Sequence, residues 1–311
     1  MTPLKQVMKD VMSNRAFMRI FRGNRFIFLF HDVSNKDAVQ YSDEYSTPIS
    51  LFEEQVDLLQ HLFEIVPLER IVADKDMDNS KNYAAITFDD GFYSVLENAR
   101  PILNKREIPY TIFLNAAAIK DNQLWFSNLQ LAEGKYRDKL LHISHTEIGS
   151  NEDLVSAIYT RGKFDDNFRA EYKIPRNAKK IFMDFADIAI LQEEGVLIGS
   201  HSYDHFVLNF CDDETRRIQI EENNELLQKI AKQRIRHFAI PFGKKEHFDD
   251  ITIAAIKQAG HKYIYTSNPN KFTVEDLRNP NFLFPRIGIS NSTPNELLFI
   301  INRALFKKYD L

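Results

Sequence analysis

Short apolar runs alternate with segments of helical periodicity along most of this 311-residue chain, and this alternation restricts the folds open to it. The apolar runs predict strands, and they comprise residues 25–30, 83–88, 110–114, 196–199, 237–240, 263–266 and 283–289. Segments between them predict helices at 50–63, from 91 to about 105, at 212–233, at 249–259 and from Pro294 onward. Such alternation is typical of a parallel sheet covered by helices, so the predicted fold class is α/β. About seven such units favour a closed (β/α) barrel over an open sheet.

Residues 121–190 interrupt this alternation, because they are mostly charged and of helical character. We interpret them as a helical insertion that packs against the barrel. The chain contains no Gly/Ser-rich linker, low-complexity tract or internal repeat that would mark a domain boundary. We therefore expect one domain over residues 1–311, with the insertion at 121–190.

Composition and charge narrow the classes of protein. Hydrophobic residues make up 44% and charged residues 27%, which is typical of a globular protein with a sizeable core. The formal net charge of −4 argues against a nucleic-acid partner, since such proteins usually carry a basic surplus. Cys211 is the single cysteine, so an intrachain disulfide is excluded. The chain has no apolar run long enough for a membrane span and no good signal peptide, and we expect it to be cytoplasmic.

The first 24 residues form a basic segment in which Lys and Arg outnumber the single acidic residue, Asp10. Apolar residues recur at helical spacing there: Leu4, Val7, Met8, Val11 and Met12. A basic amphipathic helix can lie on an anionic membrane surface, or it can pack on the surface of its own domain. The sequence therefore predicts an N-terminal helix, with peripheral membrane contact as one of two alternatives.

Two polar motifs each follow a predicted strand. The first is Thr-Phe-Asp-Asp-Gly at 87–91, whose adjacent carboxylates repel each other and each favour a cation or a hydrogen-bond donor. The second is His-Ser-Tyr-Asp-His at 201–205, whose histidines would share a face on a helical turn and could bind one ion. Two His and one carboxylate with open positions are typical of a catalytic metal site. Each motif alone also fits a solvated loop, but together they predict an active site at the carboxyl rim of a barrel.

A third motif, Phe-Ala-Ile-Pro-Phe-Gly at 238–243, completes a resemblance to a known family. The three motifs resemble those of the polysaccharide deacetylases of carbohydrate esterase family four, the NodB homology domain. The resemblance spans roughly residues 26–120 and 196–289. It implies a distorted (β/α) barrel in which Asp89 is the general base. It also implies that Asp90, His201 and His205 bind a divalent metal ion, usually zinc.

Two departures from the family pattern leave other residues of the mechanism open. The family often has an arginine shortly before the proline of the third motif, where it pairs with the base. No arginine lies within 238–243, and we favour Arg286 over Arg236 as its replacement. The late Leu-x-His that supplies the general acid in many members is also missing, because no histidine follows His261.

His31 is the residue that we predict to replace this general acid. It directly follows the first predicted strand, so it would lie at the same rim as the two motifs. The tripeptide His31-Asp32-Val33 resembles the branch of the family that acts on poly-N-acetylglucosamine-type exopolysaccharides, in which this histidine lies in the active site. Asp32 would orient the imidazole. A histidine with a purely structural role at a strand end is the alternative.

Further contacts with the substrate are predicted at Phe242, Arg286 and Trp125. A backbone N–H near Phe242 would stabilise an oxyanion. Trp125 would stack on a sugar ring, although a core or lid position suits this side chain equally well.

These patterns predict a metal-dependent deacetylase that removes N-acetyl groups from an N-acetylated carbohydrate and releases acetate. A cytoplasmic precursor of a cell-surface polysaccharide would fit the expected location. Two alternatives stay open from the sequence. One is a non-catalytic carbohydrate-binding protein on the same fold, and the other is a metal-dependent O-acetyl esterase, since the same attack by water serves esters.

Overall fold

A computed structural model of the chain describes residues 22–34, 45–126, 134–147, 157–158, 162–173 and 180–306. The chain divides into two compact units. The first unit comprises Met1–Phe88, Ser94–Thr111 and Tyr265–Leu311, and the second comprises Asp89–Tyr93 and Ile112–Ile264. Two strands, Tyr110–Leu114 and Tyr263–Tyr265, contribute residues to both units.

The first unit is built around a parallel pair of fully buried strands. Arg25–Phe30 and Tyr83–Phe88 pair residue by residue, from Arg25 opposite Tyr83 to Phe30 opposite Phe88. Glu64–Ile65 adds to the second of these strands and Ile287–Gly288 to the first, both in parallel. A separate parallel pair is formed by Asp32–Val33 and Ser46–Thr47. Continuous burial explains why Arg25–Phe30 and Tyr83–Phe88 are mainly apolar runs rather than alternating patterns.

Helices accompany these strands within the first unit. Their bounds are Ile49–Leu62, Leu68–Ala73, a π-helical turn Val95–Ala99 that continues into Arg100–Lys105, a 3-10 turn Asp276–Arg278, and Pro294–Phe306. The strand predicted at 283–289 is instead two short strands, Leu283–Phe284 and Ile287–Gly288. Pro285 lies between them, and a proline has no N–H to continue the ladder.

The second unit also has parallel strands flanked by helices. Leu197–Ser200 and His237–Ala239 pair in parallel, with Ser200 opposite Phe238. The helices are Ala116–Asp121, Gly134–Ile143, Asp166–Glu171, Phe185–Glu193, Asp213–Arg217, Asn223–Ala231 and Asp250–Gln258, with 3-10 turns at Leu208–Phe210 and Lys245–His247. Asp212 caps its helix, because its carboxylate accepts from the Thr215 backbone N–H at 2.8 Å.

The helix predicted at 212–233 contains a π-helical turn, Ile218–Glu222, in its middle. Two side chains of this stretch are fully buried polar amides, Gln219 and Asn223. Asn223 accepts from the Ala116 N–H at 2.8 Å and donates to the Leu114 carbonyl and the Ser200 hydroxyl. π-Helical turns are frequent at functional sites. Gln219 lies within this turn and bonds to Asp204, and Asn223 directly follows the turn and bonds to groups at the ends of neighbouring strands.

Some predictions concern residues beyond this description. The amphipathic segment at 1–24 lies almost entirely outside the described residues, so its helix and its membrane contact stay predictions. The described part of 121–190 includes the helices Gly134–Ile143, Asp166–Glu171 and Phe185–Glu193, and the assignment of this stretch as an insertion in one domain also stays a prediction. Across the described ranges, no helix combines the length and apolar character needed to cross a membrane.

Packing in the second unit predicts that Gly199→Ala destabilises the fold. A Cβ at Gly199 would lie 2.4 Å from Cδ1 of the Phe113 ring, whereas a Cβ at Gly288 would meet nothing within 4 Å. Overpacking a buried site costs about 1–3 kcal/mol, so urea unfolding of Gly199→Ala should show that loss. Gly288→Ala is the matched control and should be close to neutral. Adding Phe113→Leu should recover part of the loss, and a fully stable Gly199→Ala would contradict this packing.

Because His261 is buried, we predict that the free energy of unfolding falls in mild acid. Burial lowers the pKa of its imidazole to about 3, and the ring packs against Phe238 with centroids 5.0 Å apart. The unfolded chain therefore takes up this proton below about pH 6.5 while the folded chain does not, so stability falls between about pH 6.5 and pH 3. One such group removes roughly 2 kcal/mol between pH 7 and pH 5.

Urea unfolding of the metal-free chain at these two pH values measures this effect. His261→Leu should reduce the difference between pH 7 and pH 5, whatever its effect on stability at pH 7. The exposed His61 provides a control, and His61→Gln should keep the full difference. An unchanged difference in His261→Leu would contradict the assignment.

Candidate metal centre

The two acidic residues lie in a tight turn directly after the strand Tyr83–Phe88. Asp90 and Gly91 both have left-handed backbone conformations, with φ of 70° and 71°. A side chain at Gly91 would also place its Cβ 2.5 Å from Cδ2 of Leu114, so glycine is required there for space as well as conformation. This turn buries both carboxylates, which are 2% exposed at Asp89 and 1% exposed at Asp90.

The segment 201–205 is a loop, so the helical turn assumed from the spacing of its histidines is wrong. Ser202 and His205 adopt left-handed conformations, with φ of 65° and 59°, and such residues interrupt an α-helix. The loop is fixed by neighbouring groups instead. The His201 N–H donates to the Leu114 carbonyl at 2.9 Å, and the amide of Asn115 donates to the carbonyls of His201 and Ser202.

Both histidines nevertheless point at the acidic turn. The Nε2 atoms of His201 and His205 lie 3.6 Å and 3.5 Å from the same oxygen, Oδ1 of Asp90. These three ligand atoms all lie within 4.8 Å of one another, and Asp90, His201 and His205 are all buried. Ligands of a tetrahedral zinc ion at bond lengths of about 2.0–2.1 Å are about 3.3 Å apart. The predicted ligand set therefore has the chemistry and the spacing of a metal site.

The hydrogen bonding of His201 fixes the orientation of its ring. Its Nδ1 lies 2.8 Å from the backbone carbonyl of Ala239, which can only accept a hydrogen bond. Nδ1 therefore carries a proton, and Nε2 faces the carboxylates. A metal-binding histidine usually donates its other ring N–H to a carbonyl or carboxylate in this way. Oδ2 of Asp89 lies 3.5 Å from the same Nε2, so the predicted base adjoins the ligand set.

Aromatic side chains enclose the second histidine. The His205 ring meets the ring of Phe126 at a centroid distance of 4.7 Å and that of Phe242 at 4.6 Å, both edge to face. Trp125 is fully buried, and its indole N–H donates to the His205 carbonyl at 3.0 Å. This placement supports a positioning role for Trp125 more than a stacking role. Stacking of Trp125 on a sugar stays a prediction.

A buried carboxylate within the loop was missed in the sequence analysis. Asp204 has no exposed surface and accepts from the Tyr172 hydroxyl at 2.8 Å, the Gln219 amide at 2.8 Å and Nε of Arg169 at 3.2 Å. Burial raises the pKa of Asp204, while the hydrogen bonds from Tyr172 and Gln219 and the charge of Arg169 oppose that rise. The sequence did contain a signal for Asp204, which lies between the two histidines. A carboxylate at that position must contact either the metal ion or a hydrogen-bonding side chain.

The third motif provides a strained turn beside His205. Phe242 has a φ of 60°, which is uncommon for a bulky residue, and the Gly243 N–H donates to the Pro241 carbonyl at 2.7 Å. Strain of this kind tends to occur at functional sites. The role of the Phe242 backbone toward an oxyanion stays a prediction.

The remaining predicted residues lie in the first unit. Arg286 is buried, with Nε 3.4 Å from the Thr266 carbonyl and a terminal nitrogen 3.5 Å from the hydroxyl of Thr87, which is two residues before Asp89 in the chain. The ring of His31 meets that of Tyr45 edge to face, with centroids 5.1 Å apart. Their catalytic roles stay predictions.

Asp32 has partners other than the expected imidazole. Its carboxylate accepts hydrogen bonds from the hydroxyls of Ser34, Ser46 and Ser94, the first two at 2.6 Å. These contacts anchor the short strand Asp32–Val33 that follows His31. Any orienting effect on His31 would thus act through the backbone.

Comparison with known proteins gives one family match. The family model described as polysaccharide deacetylase matches residues 76–264, which is more than half of the chain. Among curated proteins, none matches the chain.

Several solved structures have the same fold at low sequence identity. The Streptococcus pyogenes deacetylase PplD, in complex with acetate, is 14% identical with a TM-score of 0.61, over 88% of this chain and 96% of its own. IcaB from Ammonifex degensii is 16% identical with a TM-score of 0.57, over 89% and 96% of the two chains. A de-N-acetylase from Aggregatibacter actinomycetemcomitans is 14% identical with a TM-score of 0.59, over 89% and 99%. These similarities confirm the predicted α/β fold, a distorted (β/α) barrel.

Proposed function

The chain belongs to the polysaccharide deacetylase family, and from that premise we propose that it is a metal-dependent hydrolase that removes N-acetyl groups from a carbohydrate. Asp90, His201 and His205 hold the divalent ion, with zinc as the first choice, and Asp89 is the general base. The substrate is an N-acetylated amino sugar or polysaccharide, and the products are acetate and a free amine.

The convergence of the ligand atoms carries this proposal. Two imidazole nitrogens approach one carboxylate oxygen at 3.5–3.6 Å, and the Ala239 carbonyl holds the His201 ring with Nε2 toward that oxygen. Asp89 and Asp90 are both buried, and two adjacent buried carboxylates need a nearby positive charge. A divalent ion satisfies this need, and a structural role for Asp90, His201 and His205 would not require their ligand atoms to converge.

The residues have separate tasks in the reaction. Asp90, His201 and His205 would hold a divalent ion, which would supply Lewis-acid chemistry by lowering the pKa of a water molecule and polarising the acetyl carbonyl. Asp89 accepts the proton of the attacking water, because its carboxylate adjoins the ligand set without being part of it. A backbone N–H near Phe242 stabilises the negative charge that develops on the acetyl oxygen.

Two further roles in the proposal rest on the sequence. His31 donates a proton to the leaving amine, in place of the late histidine that the chain lacks. Arg286 takes over the role of the family's arginine, which is to hold the base ionised. The resemblance of His31-Asp32-Val33 to one branch of the family supports a poly-N-acetylglucosamine-type substrate.

Metal binding is the first test of the proposal. His201→Gln and His205→Gln should each weaken Co²⁺ or Zn²⁺ binding by more than about 100-fold, a larger effect than an outer-shell change. Isothermal titration on the metal-stripped chain measures the dissociation constants. His61→Gln is the matched control, since it removes an exposed histidine from a helix. Binding that survives both ligand substitutions would place the ion elsewhere.

The base is tested by separating metal binding from turnover. Asp89→Asn keeps the shape of the side chain but removes the basic oxygen, so the metal should still bind while acetate release falls by at least about 100-fold. Acetate release from N-acetylglucosamine oligomers measures turnover. His31→Ala should lower the rate constant while leaving metal affinity unchanged. Full turnover by Asp89→Asn would remove it from the mechanism.

The two alternative functions give different results in the same assay. Release of acetate from O-acetylated but not N-acetylated oligomers would favour an esterase. A metal-loaded chain that binds the oligomers and releases no acetate from either would favour a carbohydrate-binding protein.

A further inference from the structure

The loop that provides both histidine ligands is held by groups outside it. The Tyr203 carbonyl accepts from the Ala117 N–H at 3.0 Å, and the Asp204 N–H donates to the Gln219 side chain at 2.8 Å. The His205 N–H bonds within the loop, to the Ser202 hydroxyl at 3.1 Å. Since two of these residues have left-handed backbones, the loop relies on such bonds to keep its shape.

Asp204 is the loop residue that forms hydrogen bonds with a charged side chain and a hydroxyl group from outside the loop. Its carboxylate accepts hydrogen bonds from Arg169, Tyr172 and Gln219. Three donors on one fully buried carboxylate leave little freedom for the backbone at 204. His205 is the next residue in the chain, and His201 lies three residues before Asp204.

The side chains that bond to Asp204 belong to two separate segments of the chain. Gln219 lies on the π-helical turn Ile218–Glu222. Arg169 lies on the helix Asp166–Glu171 and Tyr172 directly follows it, within the segment that interrupts the strand–helix alternation. Arg169 also lies over the Tyr203 ring, 5.1 Å from its centroid, so it contacts two adjacent residues of the loop. Tyr172 is fully buried and packs on Phe168 and Phe206.

We infer that Arg169 and Tyr172 act through Asp204 as positioning residues that set the separation of His201 and His205 for metal binding. This inference rests on the proposed function, because it assigns to the 121–190 segment a part in building that metal site. The physical reason is precision: ligands must be held within roughly 0.5 Å of their metal-binding geometry. Loss of the anchor at 204 lets the strained loop relax and separates the two imidazoles.

Metal affinity of three variants tests this inference. Tyr172→Phe removes one hydroxyl while keeping the ring, Arg169→Gln removes the charge, and Asp204→Asn keeps the shape of the anchor. Each should raise the Co²⁺ dissociation constant by about tenfold or more, as outer-shell changes do. The visible spectrum of bound Co²⁺ should change as well, because it reports ligand geometry. Tyr172→Phe is the mildest change and keeps the test usable if Asp204→Asn does not fold.

A matched control separates positioning from general stability. Lys139→Gln removes a partly exposed ion pair with Glu171, 3.7 Å away on the same helix as Arg169, and should leave both the dissociation constant and the spectrum unchanged. Thermal unfolding of the metal-free variants records any loss of stability independently. A purely structural role would lower the unfolding temperature and leave the metal affinity of the folded protein unchanged, which overturns the inference.

The parent chain distinguishes this inference from the function on which it rests. If the parent binds Co²⁺ and all three variants bind it within twofold of the parent, the inference alone fails. If the parent does not bind a divalent ion, the proposed function fails and the inference fails with it.

Discussion

Two adjacent, nearly fully buried carboxylates are the constraint on which the second unit depends. Asp89 and Asp90 share a turn and are nearly fully buried, which is unfavourable unless positive charge lies close by. His201 and His205 both face this turn, and the Ala239 carbonyl holds the His201 ring with Nε2 toward the acids. Under the proposed function, a divalent ion between these side chains provides the positive charge.

Left-handed backbone conformations recur around this site. Asp90, Ser202, His205 and Phe242 all have left-handed conformations, and each belongs to one of the three motifs. Such conformations cost of order 1–3 kcal/mol each, and they persist where neighbouring contacts fix them. Here the contacts are side-chain amides from Asn115 and the indole of Trp125, together with the packing of aromatic rings. These contacts from other parts of the unit therefore hold the proposed metal ligands in their positions.

The sequence predicted most of the strands and the closeness of Asp90, His201 and His205, but not the conformation of the loop that joins the two histidines. Strand bounds agreed because burial on both faces gives long apolar runs, as in 25–30 and 83–88. The spacing of His201 and His205 suggested a helical turn, yet spacing alone carries no information about left-handed residues. Asp204 was overlooked because its partners Arg169 and Tyr172 are distant in the chain. Contacts of that range depend on packing, which periodicity does not encode.

The π-helical turn Ile218–Glu222 has a consequence for how the chain can change over time. A π turn holds one residue more than an α turn. With this spacing, Gln219 bonds to the loop at Asp204 while Asn223 bonds to the strand end at Leu114. Substitutions on the outer surface of this helix should be tolerated, whereas deletion of a single residue would rotate one amide away from its partner. Insertions and deletions, more than substitutions, are therefore the changes to which this part of the molecule is most sensitive.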